Sequence, residues 1–419
     1  MSIHHILRID RANKSFPIAM IAVWNLLSST LQGQEALIIS LHSVEDRISK
    51  QNPDLAAARK HIDEATGRLR QSGHMSNPVL GLEVSQNPDF LEYSYSVSIA
   101  QKFPVTNRLA LAKTFSEKSL RAAEAEVRDI ERRLCSSAKE LVIRILAIEK
   151  QRELLSQQKS LADDFASHLH ESAQKGEGSV LDAGQAKIKA AQLANELHQL
   201  EARAATLHGE LKPLLGMATG EPLIISGDLP HFIMPSKSSQ VGQRPDLIAA
   251  KLRASAAATS ADLERAKSRE DIELTLSAGA NRTEDAPLGY DTEQHIGIGI
   301  RIPLPFRDRN QGGIDEADAR SIRRQLEAAA LEHHIRHQAE TAYEQMIQWA
   351  KIGEEISDDL LPLAREQSEL ALRAYHEGQG DIQSTLLARE QVLKLASSRL
   401  EALRDFHLAK ARYQSALNQ

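Results

Sequence analysis

The sequence is poor in the residues that build a compact, aromatic or disulfide-bonded core. Aromatic residues make up only 4% of its 419 residues, and Cys135 is its one cysteine, so no disulfide can form within the chain. Cys135 lies on a helical apolar stripe, where we expect a small buried side chain and not a reactive thiol. Ala, Leu, Glu, Gln and Arg dominate long stretches of the chain, a composition typical of long helices and coiled coils.

Motifs that would indicate an enzyme or a nucleic-acid-binding protein are also missing. The formal net charge is only −6, and no block of Lys and Arg predicts a surface for nucleic acid. No phosphate-binding glycine loop, nucleophile elbow or Ser-His-Asp arrangement is recognisable. Gly297 and Gly299 lie inside a predicted strand, where a need for small residues explains them better than a nucleotide site does. We therefore expect no catalysis and no cofactor.

Residues 1–33 are expected to be a secretory signal peptide. Three basic residues in the first 14 positions precede an apolar stretch over 16–31, as in a signal. The alternative is a single membrane anchor. Pro17, Asn25 and the short apolar stretch argue against it, because a spanning helix needs about 20 apolar residues. We therefore expect the chain to be exported.

The remainder of the chain is an internal duplication with a period of about 200 residues. Motifs recur in the same order in both halves: Asn52-Pro53-Asp54-Leu55 returns as Arg244-Pro245-Asp246-Leu247, Phe103-Pro104 as Pro303-Leu304-Pro305-Phe306, and Gly176-Glu177-Gly178 as Gly378-Gln379-Gly380. We predict a first repeat over 34–215, a linker over 216–243 with a short strand at 223–225, and a second repeat over 244–419. Each repeat is expected to consist of a helix, two strands, a long helix, a glycine turn and a helix.

Each repeat contains two segments in which apolar residues alternate with small or polar ones, the pattern of half-exposed strands. The apolar positions are Leu80, Leu82 and Val84; Tyr93, Tyr95, Val97 and Ile99; Ile272, Leu274, Leu276 and Ala278; and Ile296, Ile298, Ile300 and Ile302. Runs of about 9–11 residues match tilted strands that cross a bilayer, with one face on lipid and the other on a wet lumen.

The alternative for these strands is a pair of soluble hairpins, each packed on a core. The connecting segments, 86–92 and 282–292, are polar and turn-forming, and no other segment offers a partner sheet. Four strands cannot close a barrel alone, so their open edges must pair with other copies of the chain. Oligomerisation is thus predicted, because the backbone N–H and C=O groups of the open edges need hydrogen-bond partners.

Two very long helices are predicted, over 107–174 and 313–375. The first contains neither proline nor glycine before position 174, and Pro362 should kink or break the second. Apolar residues at spacings of three and four give both helices a stripe that needs helix-on-helix packing, as in a coiled coil. At 1.5 Å per residue each helix would be on the order of 90–100 Å long. A stripe of that length cannot be buried within one compact protomer.

Taken together, these features resemble the TolC-like outer-membrane efflux protein family over residues 40–417. The residues that carry the resemblance are the motifs at 52–55 and 244–247, Leu214-Leu215-Gly216 leading to Gly227-Asp228-Leu229-Pro230, and Ile302-Pro303-Leu304-Pro305-Phe306 followed by Arg307-Asp308-Arg309-Asn310-Gln311-Gly312. The last run resembles the divalent-metal branch, CzcC-like or CusC-like. The order of the motifs in a duplicated chain carries more weight than any one of them.

The resemblance implies a mainly α-helical fold with a membrane β-barrel part. Long coiled-coil helices would form an α-barrel, and a homotrimer would close the β-barrel from four transmembrane strands per protomer. The resemblance also implies the outer membrane of a Gram-negative-type bacterium, with the strands in outer-membrane lipid and the helices in the periplasm. The expected partners are a periplasmic adaptor (membrane fusion) protein and an inner-membrane pump of the proton-driven resistance-nodulation-division type.

The implied function is a passive exit duct for substrates that the pump delivers. Divalent metal ions are favoured by the branch that the sequence resembles. The alternative is an exported periplasmic coiled-coil scaffold or adaptor without a channel. Such a protein would explain the helices and the signal peptide, but not the alternating strands of membrane length in both halves.

The resemblance also locates an entrance at the helix tips, where carboxylates just after each glycine turn narrow the channel in this family. Asp182 matches the first-half position, whereas the second-half positions are Ser384 and Leu387, which carry no charge. Glu377 and Asp381 lie close by and could substitute in part, and a hydrophobic constriction at Leu387 is the alternative. The tip turns themselves would be formed by Gly176, Gly178, Gly378 and Gly380.

One histidine pair is a weak candidate metal site. His333 and His337 lie one helical turn apart, a spacing that can chelate a divalent ion. Both lie opposite the apolar stripe at Leu331 and Ile335, so a solvated helix face is the simpler interpretation. The other histidines have no ligand spacing, and no further metal site is predicted.

Overall fold

The computed structural model describes residues 36–88, 91–238, 243–285 and 287–417, so the predicted signal peptide lies outside the described residues. The first half contains β1 (Leu37–Ile39), α1 (Val44–Gln51), α2 (Pro53–Gln71), β2 (Val79–Gln86), β3 (Tyr93–Phe103), α3 (Arg108–Gln174) and α4 (Val180–Leu214). The remainder contains β4 (Leu223–Ile225), α5 (Pro245–Lys267), β5 (Ile272–Asp285), β6 (Gly289–Arg301), α6 (Gln311–Glu355), α7 (Leu361–His376) and α8 (Ile382–Leu417).

The two predicted long helices differ in continuity. α3 is a single helix of 67 residues, on the order of 100 Å long. Its counterpart is interrupted, because α6 passes into a π-helical turn, Ile356–Leu360, before α7 begins. Pro362 is the second residue of α7 and follows this turn directly, so the π-helical turn lies where a residue without a backbone N–H interrupts the α-helical hydrogen bonds. The predicted break at Pro362 is therefore confirmed.

The helices pack side by side, and the shorter ones flank the long ones. α2 and α5 lie along the half of α3 nearer the strands, whereas α4 and α8 lie along the other half. α6 packs along α5 and α8 in the same way. Among the described residues, no helix combines the length and the apolar character needed to cross a membrane.

The large sheet has four strands in the order β2-β3-β5-β6, and all neighbours are antiparallel. Each strand continues into a helix at one end and into a hairpin turn at the other. Every junction with a helix therefore lies at the same end of the sheet, which we call the helix end. The opposite end is the turn end.

The β5–β6 hairpin is longer than the sequence predicts. A loop was expected over 282–292, but β5 extends to Asp285 and β6 begins at Gly289. The Arg282 guanidinium lies 4.8 Å from the centroid of the Tyr290 ring on the paired strand. Cross-strand contacts of this kind stabilise a hairpin whose polar composition alone indicates a loop.

A small cap covers the middle of α3. The strand expected at 223–225 is β4, and it pairs in parallel with β1, which the sequence pattern did not predict. α1 packs beside this pair. The fully buried side chains of this cluster include Val44, Ile48, Val142, Ile145 and Leu211. The cap therefore fixes the start of the linker to the first repeat at the level of the middle of α3.

Asn52 joins the ends of α2 and α4. Its Oδ1 accepts the Leu55 N–H at 2.8 Å, which caps α2, and its Nδ2 donates to the Leu214 carbonyl at 2.8 Å. Gly216 follows α4 with a φ of +66°, and a Cβ there would lie 2.2 Å from the carbonyl oxygen of Gln51. Glycine is therefore required where the two helices meet.

Cys135 lies half-buried on α3 beside the cap. Burial, together with the nearby carboxylates of Glu45 and Glu131, raises the pKa of its thiol to about 11. The thiol is therefore protonated at neutral pH, and a protonated thiol is a poor nucleophile. This agrees with the expectation of an unreactive side chain.

Segment 229–238 packs across α6 and α8. The Phe232 ring meets the Phe406 ring edge to face, with centroids 5.3 Å apart. A Cβ at Gly353 of α6 would lie 2.1 Å from the nearest atom of the Phe232 ring. Gly353 thus makes room for an aromatic side chain that the linker inserts between helices.

Replacing Gly353 with alanine should destabilise the protein, although alanine is the better helix former. The added methyl group would overlap the Phe232 ring, and overpacking of this kind costs about 1–3 kcal/mol. Gly184→Ala is the matched control, because Gly184 lies within α4 and an added Cβ would have no neighbour within 4 Å. Thermal unfolding should give a lower midpoint for Gly353→Ala and an equal or higher midpoint for Gly184→Ala. Equal midpoints for the two variants would contradict the packing described for Gly353.

Candidate functional site

One face of the large sheet is a continuous apolar surface. Two of its cross-strand rows are Leu82, Val97, Ala278 and Ile296, and Leu80, Ile99, Leu276 and Ile298. Many of these side chains are open to the surroundings, with Ile296 89% exposed and Leu82 72% exposed. A contiguous apolar surface of this kind indicates contact with a partner or a membrane.

The opposite face carries small and polar residues. One of its rows is Gly81, Ser98, Ser277 and Gly297. A Cβ at Gly81 would lie 2.6 Å from Ser98 Oγ, and a Cβ at Gly297 would lie 2.8 Å from Ser277 Oγ. The glycines therefore make room for serine hydroxyl groups. Apolar residues on one face and small polar residues on the other are the pattern of a barrel wall around a wet lumen.

Aromatic side chains border the apolar face at both ends. Tyr93 and Tyr290 lie at the turn end, and Phe103 lies at the helix end. β3 runs from Tyr93 to Phe103 in 11 residues, or about 33 Å along the strand. Tilted by about 40°, it would give an apolar band about 25 Å tall, the height of the lipid-facing band of outer-membrane barrels.

β2 and β6 are the edges of the sheet, and each pairs with a neighbouring strand on one side only. Their outer backbone N–H and C=O groups have no strand partner among the described residues. In hydrocarbon each unsatisfied backbone group costs several kcal/mol. In a bilayer each edge would therefore need another strand, and a second copy of the chain could supply one.

An ion pair ties the sheet to the helices at the helix end. Arg108, the first residue of α3, forms a bidentate pair with Asp271, which lies just before β5; Arg108 Nε and Asp271 Oδ1 are 2.8 Å apart. The hydrogen bond to Asp271 raises the pKa of Arg108, which keeps the guanidinium charged. Thr106 Oγ1 also donates to the Ala266 carbonyl at 3.1 Å. The start of α3 is thus fixed to the segment that enters β5.

The predicted tip glycines lie in two turns of the same form, between α3 and α4 and between α7 and α8. Gly176 and Gly378 have φ angles of +79° and +71°. The Glu177 N–H donates to the Ser172 carbonyl, and the Gln379 N–H donates to the Ala374 carbonyl, both at 2.9 Å. This is the Schellman arrangement, which glycine favours because it needs a positive φ.

The second glycine of each turn lies against the helix that ends there. A Cβ at Gly178 would lie 3.2 Å from Ser172 Cβ, and a Cβ at Gly380 would lie 3.1 Å from the backbone nitrogen of Tyr375. A larger residue at either position would have to push the turn away from its helix. The four glycines thus allow the chain to reverse direction within two short turns.

The predicted gate residues follow these turns. Asp182 is half-buried in the first turn of α4, and burial together with the charge of Asp182 raises the pKa of Tyr375. Asp381 lies just before α8; its Oδ1 accepts the Ser384 N–H at 2.6 Å, and this hydrogen bond lowers the pKa of the carboxyl group. Leu387 is 67% exposed. The gate role of these residues stays a prediction, and Asp381 has a helix-capping role besides it.

Sequence reasoning missed a set of contacts that joins the two hairpins near the tips, which we call the tip clamp. Phe165 of α3 meets Tyr375 of α7 edge to face with centroids 5.9 Å apart, and the Arg389 guanidinium lies 4.9 Å from the Phe165 ring centroid. Lys189 Nζ of α4 and the Glu390 carboxylate of α8 are 2.6 Å apart. The sequence offers one signal for these contacts. Phe165 and Tyr375 are aromatic residues in two helix segments that contain few other aromatic residues.

The histidine pair lies on an exposed face of α6. The rings of His333 and His337 meet edge to face with centroids 4.5 Å apart. In the part of the chain that the structure describes, no three or more His, Cys, Asp or Glu side chains are grouped so that they could hold a metal ion. Metal binding by the pair stays a prediction, and the described residues offer no third ligand beside it.

The sheet with one apolar face, carried on long helices with paired tips, has the fold of the TolC-like outer-membrane channels. The chain superimposes on the structure of CusC with a TM-score of 0.75 at 17% identity, over 90% of this chain and 91% of that one. It superimposes on the outer membrane protein VceC of Vibrio cholerae with a TM-score of 0.72 at 19% identity, over 90% of this chain and 95% of that one. These likenesses establish the fold and confirm the predicted fold class.

A curated relative adds sequence similarity to this likeness in fold. The chain is 24% identical over 339 residues to the cobalt-zinc-cadmium resistance protein CzcC of Cupriavidus metallidurans, which covers 78% of this chain and 77% of that protein. No family model matches the chain. The predicted resemblance to the TolC-like proteins and to their CzcC-like or CusC-like branch is confirmed. Three of the solved relatives, CusC, OprN and MtrE, are described as membrane channels.

Proposed function

We propose that this chain is the outer-membrane channel component of a tripartite efflux system and acts as a passive exit duct. The observation that supports this most strongly is the sheet, with its exposed apolar face of membrane height, its small polar face and its two open edges. Helices on the order of 100 Å long extend from one end of that sheet. A duct that crosses a membrane and continues into the periplasm needs both parts.

Assembly as a homotrimer supplies what one copy lacks. β6 of each copy pairs with β2 of the next, so that the open edges close into a barrel with the apolar face on outer-membrane lipid. The same assembly gives the long helices neighbours along their whole length, as their apolar stripes require. The helices then enclose a tunnel in the periplasm. A periplasmic adaptor protein contacts the tips, and an inner-membrane pump of the resistance-nodulation-division type supplies the energy.

Divalent metal ions are the cargo that we propose. The support is the similarity to CzcC, a protein named for resistance to cobalt, zinc and cadmium. A passive duct carries what its pump delivers, so its own residues constrain the cargo weakly. The proposal of metal ions as cargo therefore rests on the similarity to CzcC and not on particular residues of the duct.

The duct opens at the tip clamp. The Arg389–Phe165 contact contributes about 0.5–2 kcal/mol, and a partly exposed ion pair such as Lys189–Glu390 contributes about 0–1 kcal/mol. Contacts of this size can be broken by the binding energy of an adaptor. Separation of the two hairpins is then a change between two packed states.

The full-length protein should fractionate with the outer membrane and give a trimer mass by native mass spectrometry after detergent extraction. Ile298→Lys should reduce this assembly, because a lysine near the middle of the lipid face costs about 2–4 kcal/mol per copy. Ser277→Lys is the matched control, since Ser277 lies at the same level on the polar face. A soluble periplasmic monomer or dimer would contradict the channel and favour a periplasmic scaffold.

Replacing both Gly176 and Gly378 with leucine should impair adaptor docking and metal export. Leucine disfavours the positive φ that both turns need, so both tips change shape. Gly184→Leu is the control, because Gly184 lies close to the first tip in a regular helix with open space around it. Growth in cobalt, zinc and cadmium and co-purification of the adaptor are the measurements. Unchanged metal resistance in cells that carry both replacements would contradict this assignment of the tips.

A further inference from the structure

An apolar ladder leaves the sheet at the helix end and continues into the next loop. Ile296, Ile298 and Ile300 of β6 lie on the apolar face, and the alternation goes on through Ile302, Leu304 and Phe306. The last three side chains are 57%, 65% and 79% exposed. The surface proposed to meet hydrocarbon therefore extends beyond the last paired residue of the strand.

The loop that carries these residues is held in a defined shape. The Phe306 N–H donates to the Leu304 carbonyl at 2.9 Å. Asn310, with a φ of 60°, donates through Nδ2 to the carbonyl oxygen and to a carboxylate oxygen of Glu264 at 3.0 and 2.9 Å. Asp308 Oδ1 accepts the Asn310 N–H at 2.8 Å. A tethered loop that exposes a phenylalanine indicates a surface that covers it.

Basic residues accumulate at this end of the sheet. The four junctions between sheet and helices, taken with adjoining residues of the strands and helices, are 72–78, 102–108, 267–273 and 301–310. Together they contain seven basic and four acidic residues, in a chain whose net charge is −6. The hairpin segments at the turn end, 87–92 and 282–292, contain five acidic residues and one basic residue. The helix end is therefore the one that suits an anionic surface.

Two arginines beside Phe306 have side-chain hydrogen-bond donors without a partner among the described residues. Arg307 makes no hydrogen bond or ion pair with any described residue. Arg309 uses its Nε, which donates to the Pro305 carbonyl at 3.2 Å, and this leaves the two terminal nitrogens of its guanidinium group. Guanidinium groups bind phosphate through paired hydrogen bonds. Arginine next to an aromatic residue at the border of an apolar band is typical of a lipid headgroup interface.

We propose that residues 302–309 form a docking surface for anionic phospholipids of the periplasmic leaflet. Leu304 and Phe306 enter the acyl region, and Arg307 and Arg309 bind the headgroup phosphate. The inference rests on the proposed function, because it takes the apolar face to lie in a bilayer with the helix end towards the periplasm. The occupant is the membrane surface, and burial by a second copy of the chain is the competing outcome.

Native mass spectrometry of the detergent-extracted protein, titrated with phosphatidylglycerol or phosphatidylcholine, tests this surface. Phosphatidylglycerol should bind more tightly, and Arg307→Gln with Arg309→Gln should weaken its binding by roughly fivefold per arginine. Arg365→Gln with Arg373→Gln is the matched control, because both arginines lie exposed on α7, far from the sheet. Phe306→Ser should weaken both lipids alike. Inorganic phosphate at the same concentration should not compete.

The outcomes separate this inference from the proposed function. Trimers that bind both lipids equally, or that keep their preference in the double arginine variant, would overturn the docking surface and leave the channel intact. Variants that retain lipid but dissociate into monomers would show that a second copy covers the loop. Competition by inorganic phosphate would show a free anion site without a lipid role. A soluble chain that retains no lipid would overturn both proposals.

Discussion

The structure depends on the backbone hydrogen bonds that the two edges of its sheet leave unmade. β2 and β6 each pair on one side only, and the face between them is apolar. In hydrocarbon a few unsatisfied backbone groups at several kcal/mol each would exceed the 5–15 kcal/mol by which a typical protein is stable. A single copy therefore cannot be the membrane state of this chain. Strand pairing between copies and entry into lipid have to occur together, and four strands determine the assembly of a mostly helical protein.

The proposed conduit requires the helices to be fixed to the sheet and to one another, and a few joints do this. The Arg108–Asp271 pair ties α3 to the sheet, and Asn52 and Gly216 tie the start of α2 to the end of α4. α3 itself runs without interruption from the sheet to the tip. In the proposed channel, these joints near the membrane and at mid-helix, together with the weaker tip clamp, would confine opening to the tips.

The periodic parts of this structure could be predicted from the sequence, whereas the joints could not. Alternation in segments such as 296–302 indicates a strand directly, and Gly176 and Gly378 are recognisable because only glycine suits a positive φ in a tight reversal. Segment 282–292 was wrongly predicted as a loop, since its strand pairing comes from cross-strand contacts that composition does not reveal. The Phe165–Tyr375 contact joins residues 210 positions apart, which no local pattern encodes. The gate residues depend on how copies meet, which one chain does not determine.

Disulfide cross-linking between β2 and β6 tests the central claim most directly. In a Cys135→Ser background, Leu82→Cys would be combined in turn with Ile296→Cys, Ile298→Cys and Ile300→Cys, and outer membranes would be oxidised. Within one chain these strands are separated by β3 and β5, or about 14 Å, too far for a disulfide. The account predicts a cross-linked ladder that ends at the trimer for at least one pair. No link between chains for any pair, while the neighbouring pair Leu82→Cys and Val97→Cys forms its link within the chain, would contradict it.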